Sequence, residues 1–340
     1  HLKEQQLLLF VNIHHIISDD WSLEVLSNEV LAHYHFFKEG TPLQVPELKI
    51  QYKDFASWQL AQLKGEAFQK LETYWRNKLS EPLPLLDLPG HKKRPIVKTF
   101  NGYSIENYFS VEDSQTLKTF CTAQKGSLFM GMMAAWYVLF YKYTGQKDFV
   151  IGSPVSGRTH TDLENQIGCY FNTLAIRMQI NPEENFTDFF QRVKQSVLED
   201  YNHQAYPFEE LLEHFKLNSD LSRNPVFDLM FSFHNTMEYK VEETERNPDQ
   251  FKGTAENAKL DILLNAAEHG PNLYLYINYN TDLYEQSTME RLVLDYKRLL
   301  KKLLEQPKQA LQKVDYQLEL AQDLRAKNKS RLNKMKNKIK

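Results

Sequence analysis

The apolar run Leu7-Leu8-Leu9-Phe10-Val11-Asn12-Ile13 is followed closely by Leu23, Leu26, Val30, Tyr34 and Phe37, which recur every three or four residues. The run's length and β-branched content suit a buried strand better than a helix, and the recurring set marks one face of an amphipathic helix that Gly40 stops. Between them stands His14-His15-Ile16-Ile17-Ser18-Asp19-Asp20-Trp21-Ser22. Two imidazoles and two carboxylates therefore lie where a strand hands over to a helix.

Two readings fit this junction. In a structural one, Asp19 or Asp20 favours a helix N-terminus through its free N–H groups and the macrodipole, and the His pair is two satisfied polar side chains. A chemical one needs one imidazole held in a single tautomer and aimed at a substrate hydroxyl or amine. Asp19, four residues after His15, is placed to close the turn and fix that geometry.

The pattern His-His-x-x-x-Asp-x-Trp-Ser resembles the active-site motif of condensation domains of nonribosomal peptide synthetases, relatives of chloramphenicol acetyltransferase. Further stretches follow in the family's order. Tyr52-Lys53-Asp54-Phe55-Ala56-Ser57-Trp58-Gln59 is similar to Tyr-x-Asp-Tyr/Phe-Ala-x-Trp-Gln, and Ile151-Gly152-Ser153-Pro154-Val155-Ser156-Gly157-Arg158 to Ile/Val-Gly-x-Pro-x-Ala-Gly-Arg. Ile167-Gly168-Cys169-Tyr170-Phe171-Asn172-Thr173 resembles the family's Gly-x-Phe-x-Asn-Thr stretch. His203-Gln204-Ala205-Tyr206-Pro207-Phe208-Glu209 matches its His-Gln segment except at Ala205, and Ser222-Arg223-Asn224-Pro225-Val226-Phe227 its Ser-Arg-Asn-Pro segment, with Ser219 where the family has Arg.

The resemblance implies an α/β, chloramphenicol acetyltransferase-like two-lobed fold of mixed sheets flanked by helices. It implies peptide-bond formation, in which an aminoacyl acceptor on one carrier protein attacks the thioester of a donor on another. By the same resemblance His15 positions or deprotonates the amine, Asp19 holds the local structure and His14 is the structural member of the catalytic set. Asp20, Trp21, Ser22, Arg158, Asn172 and Asn235 are then expected along the substrate tunnel, with Arg158 a candidate partner for Asp19 across the lobes. Arg223 and Asn224 begin a latch strand sent to the first lobe's sheet.

Two departures qualify the match. Asp20 stands where the family usually has Gly, adding a side chain and a negative charge beside the motif, so Asp20→Gly is expected to raise activity. The motif also opens the chain, whereas most of a first lobe precedes it in the family, so a truncated first lobe is expected. The resulting layout is a first-lobe remnant and linker over 1–90, a second lobe over 91–310 and a basic tail over 311–340.

The rest of the chain is read from its own residues. At 340 residues, 42% hydrophobic and 25% charged, it is long enough for one or two cores, and a net charge of −3 argues against a nucleic-acid surface. Cys121 and Cys169 are too few for a disulfide framework or a zinc site and suit a reduced, cytoplasmic setting. No run reaches the length of a membrane span.

Residues 47–79 read as helical, with Trp58 and Trp75 as core. Pro82, Pro84, Pro89, Gly90 and Pro95 mark a linker. Strands are expected over 102–109 and from Phe149, and in a hairpin over 260–264 and 273–279. Helices are expected over 114–125, 128–143, 186–201 and around Met289 to Leu304, the second of them buried because it is apolar nearly all round. Small residues from Gly152 to Arg158 suffice for a tight surface turn, which the resemblance makes a loop flooring the tunnel between the lobes, and 241–257 read as a mobile loop. His203 reads as structural.

Lys and Arg dominate after Asp323, as in a solvated end or a docking segment for an acidic partner. No adenylation signature or carrier serine motif is evident, so no cofactor is intrinsic. Phosphopantetheine would arrive on donor and acceptor peptidyl carrier proteins of other synthetase modules, and no metal, nucleic-acid or membrane partner is expected. The competing readings are an acyltransferase that esterifies an alcohol and a non-catalytic carrier-docking domain.

Overall fold

The computed structural model describes residues 9–86, 88, 92–214, 220–234 and 251–315. Asn235 and the basic tail from residue 316 lie outside the described residues. The chain groups into two compact units that do not follow chain order. The first gathers 1–74, 155–173 and 204–208; the second comprises 75–154, 174–203 and 209–340. The first break along the chain falls at Tyr74–Trp75: Trp75 and Leu79 are buried, and the Trp75 indole N–H donates to the His203 carbonyl, 3.0 Å, inside the second unit.

In the first unit, helix α1 (Asp20–Glu39) ends on Gly40 in the left-handed conformation, as the sequence predicts. Its apolar stripe is not buried: Phe37 is 80% exposed, and Val30 and Tyr34 are also exposed. Leu9 to Ile13 form no strand, and Phe10 is exposed. A strand needs a neighbouring edge to satisfy its backbone, and none of the described strands pairs with this run. Helix α2 (Tyr52–Gln62) is closed at its start by a Gln51–Asp54 capping box. Trp58 on it is exposed, against the expectation of a core residue. Helix α3 (Glu66–Lys78) begins in this unit, and its residues from Trp75 on belong to the second.

The second unit is built on one seven-stranded mixed sheet. Its strands are β1 (Asn101–Tyr108), β2 (Asp148–Val155), β3 (Asn172–Gln179), β4 (Leu229–His234), β5 (Lys252–Asn257), β6 (Ile262–His269) and β7 (Asn272–Asn280), in the order β3-β2-β4-β6-β7-β1-β5. β4 runs parallel to β2 and β6; β6, β7, β1 and β5 pair antiparallel in turn. Register shows why these sequences share a sheet. Phe231, Leu264, Ile277 and Ile105 form one cross-strand row, all buried, and the next row is Ser232, Asn265, Tyr276 and Glu106. The period-two alternation sends one row to the core and the other to the opposite face.

Helices α4 (Val111–Ala123), α5 (Leu128–Thr144) and α8 (Gln286–Glu305) pack on this sheet, and α6 (Phe186–Asn202) packs on α5. α5 is buried along nearly its whole length, as its composition predicts, and its Tyr137 hydroxyl is satisfied by the Ile176 carbonyl at 2.6 Å. Trp136 stacks on Tyr296 of α8 at 3.6 Å between ring centroids. The short helix α7 (Phe208–His214) completes the set.

Three expectations are corrected here. Leu229–His234 is no latch reaching to another sheet, but an interior strand of this one, paired on both edges. Lys252–Asn257, read as part of a mobile loop, is the edge strand β5. Gly152 and its neighbours continue β2, where the Phe227 ring occupies the space a Cβ at residue 152 would need, 2.3 Å away. None of the helices is long and apolar enough to cross a membrane among the described residues.

Candidate active site

Asp19 is the N-cap of α1, with extended backbone and its carboxylate turned back on the helix start. Its Oδ1 accepts from the Ser22 amide at 2.8 Å, from Ser22 Oγ at 2.6 Å and from Arg158 Nη2 at 2.9 Å. Its Oδ2 accepts from the Tyr170 amide at 3.0 Å. Burial alone would push this carboxyl up, but the donors on Ser22, Arg158 and Tyr170 outweigh it and hold the group below its ordinary value. Arg158 is equally enclosed. Its side chain is 1% exposed, lies 4.2 Å from the Tyr170 ring centroid, and donates to the Gln166 carbonyl at 2.9 Å and to Ser22 Oγ at 2.9 Å. Ser22 Oγ also meets the Gly168 amide at 3.0 Å. One buried ion pair thus ties the start of α1 to segment 155–173, within the first unit.

Gly157 explains how that segment turns. Its φ is +66°, and a Cβ there would stand 1.9 Å from the Tyr170 carbonyl oxygen. Glycine is required on both counts.

The imidazoles sit on the short 3-10 turn His15–Ile17 that leads into this clamp. His14 caps the turn, its Nδ1 accepting from the Ile16 amide at 3.1 Å. His15 Nδ1 lies 2.6 Å from the Ser18 carbonyl oxygen. A carbonyl oxygen only accepts, so Nδ1 carries the proton and the neutral ring keeps its lone pair on Nε2. The His15 side chain is exposed, and its ring faces Phe171 with centroids 4.6 Å apart. The geometry therefore presents one oriented imidazole nitrogen, ready to accept a proton or a hydrogen bond, on a turn locked from below by Asp19.

The family model for the condensation domain matches residues 1–323. The chain belongs to the condensation-domain family. Among its relatives, tyrocidine synthase 3 of Brevibacillus parabrevis is 37% identical over 318 residues, 94% of this chain and 5% of that protein. Gramicidin S synthase 2 of Brevibacillus brevis is 38% identical over 316 residues, 92% of this chain and 7% of that protein. The chain thus spans a small part of the length of these curated relatives. A four-domain nonribosomal peptide synthetase bound to AMP and glycine shares the fold, with a TM-score of 0.78 at 23% identity over 89% of this chain and 24% of that one. The X-domain from teicoplanin biosynthesis gives 0.76 at 22% identity over 89% of this chain and 70% of that one.

Within this condensation domain the other residues singled out from sequence occupy different stations. Ser22 is buried in the clamp, and Trp21 donates its indole N–H to the Glu164 carbonyl at 2.7 Å, pinning the same segment. Asp20 is exposed in the first turn of α1, where the backbone is helical; a Gly there would remove a side chain and its charge but is not needed for a positive φ. Asn172 is committed to backbone. Its amide donates to the Gln204 and Tyr206 carbonyls at 2.7 and 2.6 Å and its oxygen accepts from the Thr173 and Phe208 amides at 2.8 and 3.0 Å, which uses all its hydrogen-bonding capacity.

Arg223 and Asn224 lie in the second unit, where the Asp228 carboxylate accepts from the Arg223 guanidinium at 2.6 Å and from the Asn224 amide at 2.9 Å just before β4. His203 closes α6 with its Nδ1 on the Glu199 carbonyl at 2.7 Å, a structural role. Sequence reasoning missed the Ser18 carbonyl, the Tyr170 amide and the Phe171 ring. The first two are backbone groups that no residue type signals. The last is one aromatic among many.

Proposed function

We propose that this condensation domain forms peptide bonds between two carrier-tethered substrates: an acyl or peptidyl donor held as a thioester and an aminoacyl acceptor whose free amine attacks it. The observation that carries this reading is the exposed His15 Nε2, with its lone pair set free by the Nδ1 contact to Ser18. The acceptor nitrogen adds to the thioester carbonyl carbon, the C–S bond breaks, and the proton lost from nitrogen passes through His15 Nε2 to the departing thiolate. An amine and a thioester enter, and an amide and a thiol leave. Thioester aminolysis is favourable in itself, so orientation of the amine supplies much of the rate, and His15 serves as hydrogen-bond acceptor as well as base.

Asp19 acts by holding the turn, His14 by capping it. The phosphopantetheine arms belong to the substrates, on donor and acceptor peptidyl carrier proteins of neighbouring synthetase modules. A cytoplasmic setting suits the free thiols of Cys121 and Cys169. The proposed division of labour along the chain is first-lobe elements and a linker over 1–90, a second lobe over 91–310 and a basic tail over 311–340.

The test is intact-mass detection of the product on the acceptor carrier after mixing with loaded donor and acceptor carriers. The expected result is an amide with an aminoacyl acceptor and no ester with the matching hydroxyacyl acceptor. Ester formation alone would favour an alcohol acyltransferase, and carrier binding with no product from either acceptor would favour a docking domain.

A further inference from the structure

The clamp and the imidazole are joined by a residue that has so far had no role. Asp19 Oδ2 accepts from the Tyr170 amide at 3.0 Å, which fixes the backbone one residue before Phe171. Phe171 in turn lays its ring against His15, with centroids 4.6 Å apart and planes inclined by 34°. The position is 41% exposed, so the ring is not there to fill a core. In the family pattern Gly-x-Phe-x-Asn-Thr that Gly168 to Thr173 resembles, Phe171 falls on an unspecified position, unlike Tyr170 and Asn172 on either side.

One hydrogen bond on an exposed turn does not hold a ring by itself. With its Cβ anchored to the backbone, the Nδ1 contact to the Ser18 carbonyl selects one rotamer of His15, but water competes for that contact and the ring is free to leave it. An aromatic face packed against the ring restricts that freedom. With both in place, Nε2 points one way; with the hydrogen bond alone the side chain exchanges among rotamers that turn Nε2 away from a reacting nitrogen.

We infer that Phe171 is a positioning residue for His15, transmitting the Asp19–Arg158 clamp to the imidazole and fixing the direction of Nε2. This rests on the reading of His15 given above. Its effect belongs in the rate of transfer and not in carrier binding, since Phe171 acts through His15 and the carriers' own recognition surfaces are unchanged by it.

The experiment pairs Phe171→Leu with the conservative Phe171→Tyr and reads two signals: the ring-proton chemical shifts of His15 by NMR, and kcat and KM with loaded carriers. In the wild-type chain the His15 ring protons are expected to be displaced by the ring current of Phe171, and its Nε2 nitrogen shift to mark the unprotonated position. Phe171→Leu should abolish the displacement and lower kcat by about three- to tenfold, the worth of one aromatic pair, with little change in KM. Phe171→Tyr should retain both signals, a rescue that lost bulk alone does not explain.

Wild-type His15 shifts and kcat in Phe171→Leu, or lost displacement with an unchanged kcat, would overturn the inference. So would a rise in KM with kcat preserved. Should the wild-type chain form no amide at all, the reading of the reaction fails, while the NMR comparison still decides whether Phe171 orients the His15 ring. A near-ultraviolet circular dichroism spectrum matching the wild type confirms that each variant is folded.

Discussion

At the scale of single residues the site rests on a buried charge pair. Asp19 and Arg158 are each almost wholly enclosed, and taking one partner away leaves the other charge buried without a counterion. Asp19→Ala is therefore expected to cost about 3 kcal/mol or more of stability, measured by urea unfolding, whereas losing an exposed pair such as Lys302–Glu305 should leave the unfolding midpoint nearly unchanged.

Because the Asp19 carboxyl is held below its ordinary value, its contribution is fully present above the unfolded carboxylate value of about 4 and fades as pH falls through the lower folded value. Melting temperatures taken between neutral pH and about pH 3 should fall less steeply in Asp19→Asn than in the wild type over that acid window. Equal slopes would remove Asp19 from the account of acid sensitivity. The family resemblance offered Arg158 as a partner for Asp19, and the two form a buried ion pair. Asn172, expected along the tunnel by the same resemblance, bonds four backbone groups, three of them on 204–208, a path that side-chain types do not signal.

At the scale of elements, local pattern and tertiary placement part company. The all-apolar α5, the striped α6 and α8 and the β6–β7 hairpin follow from periodicity and turn residues. The partners of β4 do not. A six-residue apolar strand looks the same whether it closes an edge or lies inside a sheet, and the parallel pairing with β6 decides it. β2 is a further case, since Gly152, read as the start of a loop, lies within the strand, where the Phe227 ring fills the space a Cβ would need. Gly152→Ala is expected to cost about 1–3 kcal/mol by forcing that buried ring aside, read as a lower urea midpoint with unchanged slope. A variant as stable as wild type would mean that Phe227 does not need the space.

At the scale of the whole chain, the first unit carries most of the exposed large apolar side chains among the described residues, including Leu9, Phe10, Ile16, Leu31, Phe37, Trp58 and Leu60, whereas the second exposes fewer, such as Ile96 and Leu221, around a large buried core. A folded chain of residues 1–340 is therefore expected to bind a hydrophobic dye at neutral pH, and the paired change Phe37→Ser and Trp58→Ser to reduce that signal without lowering the melting temperature. Absence of dye binding in a cooperatively melting monomer would contradict this distribution of surface. The amphipathic stripe of α1 shows the limit of periodicity, which identifies an apolar face but not what that face meets.

The central claim is that the one oriented nitrogen of His15 handles the proton in thioester aminolysis. Rapid-quench measurement of a single turnover, with donor and acceptor carriers both loaded, tests it most directly. His15→Ala is expected to slow transfer by about a hundredfold or more while His14→Ala, which removes a cap, slows it far less; a His15→Ala rate within about twofold of wild type would contradict the account.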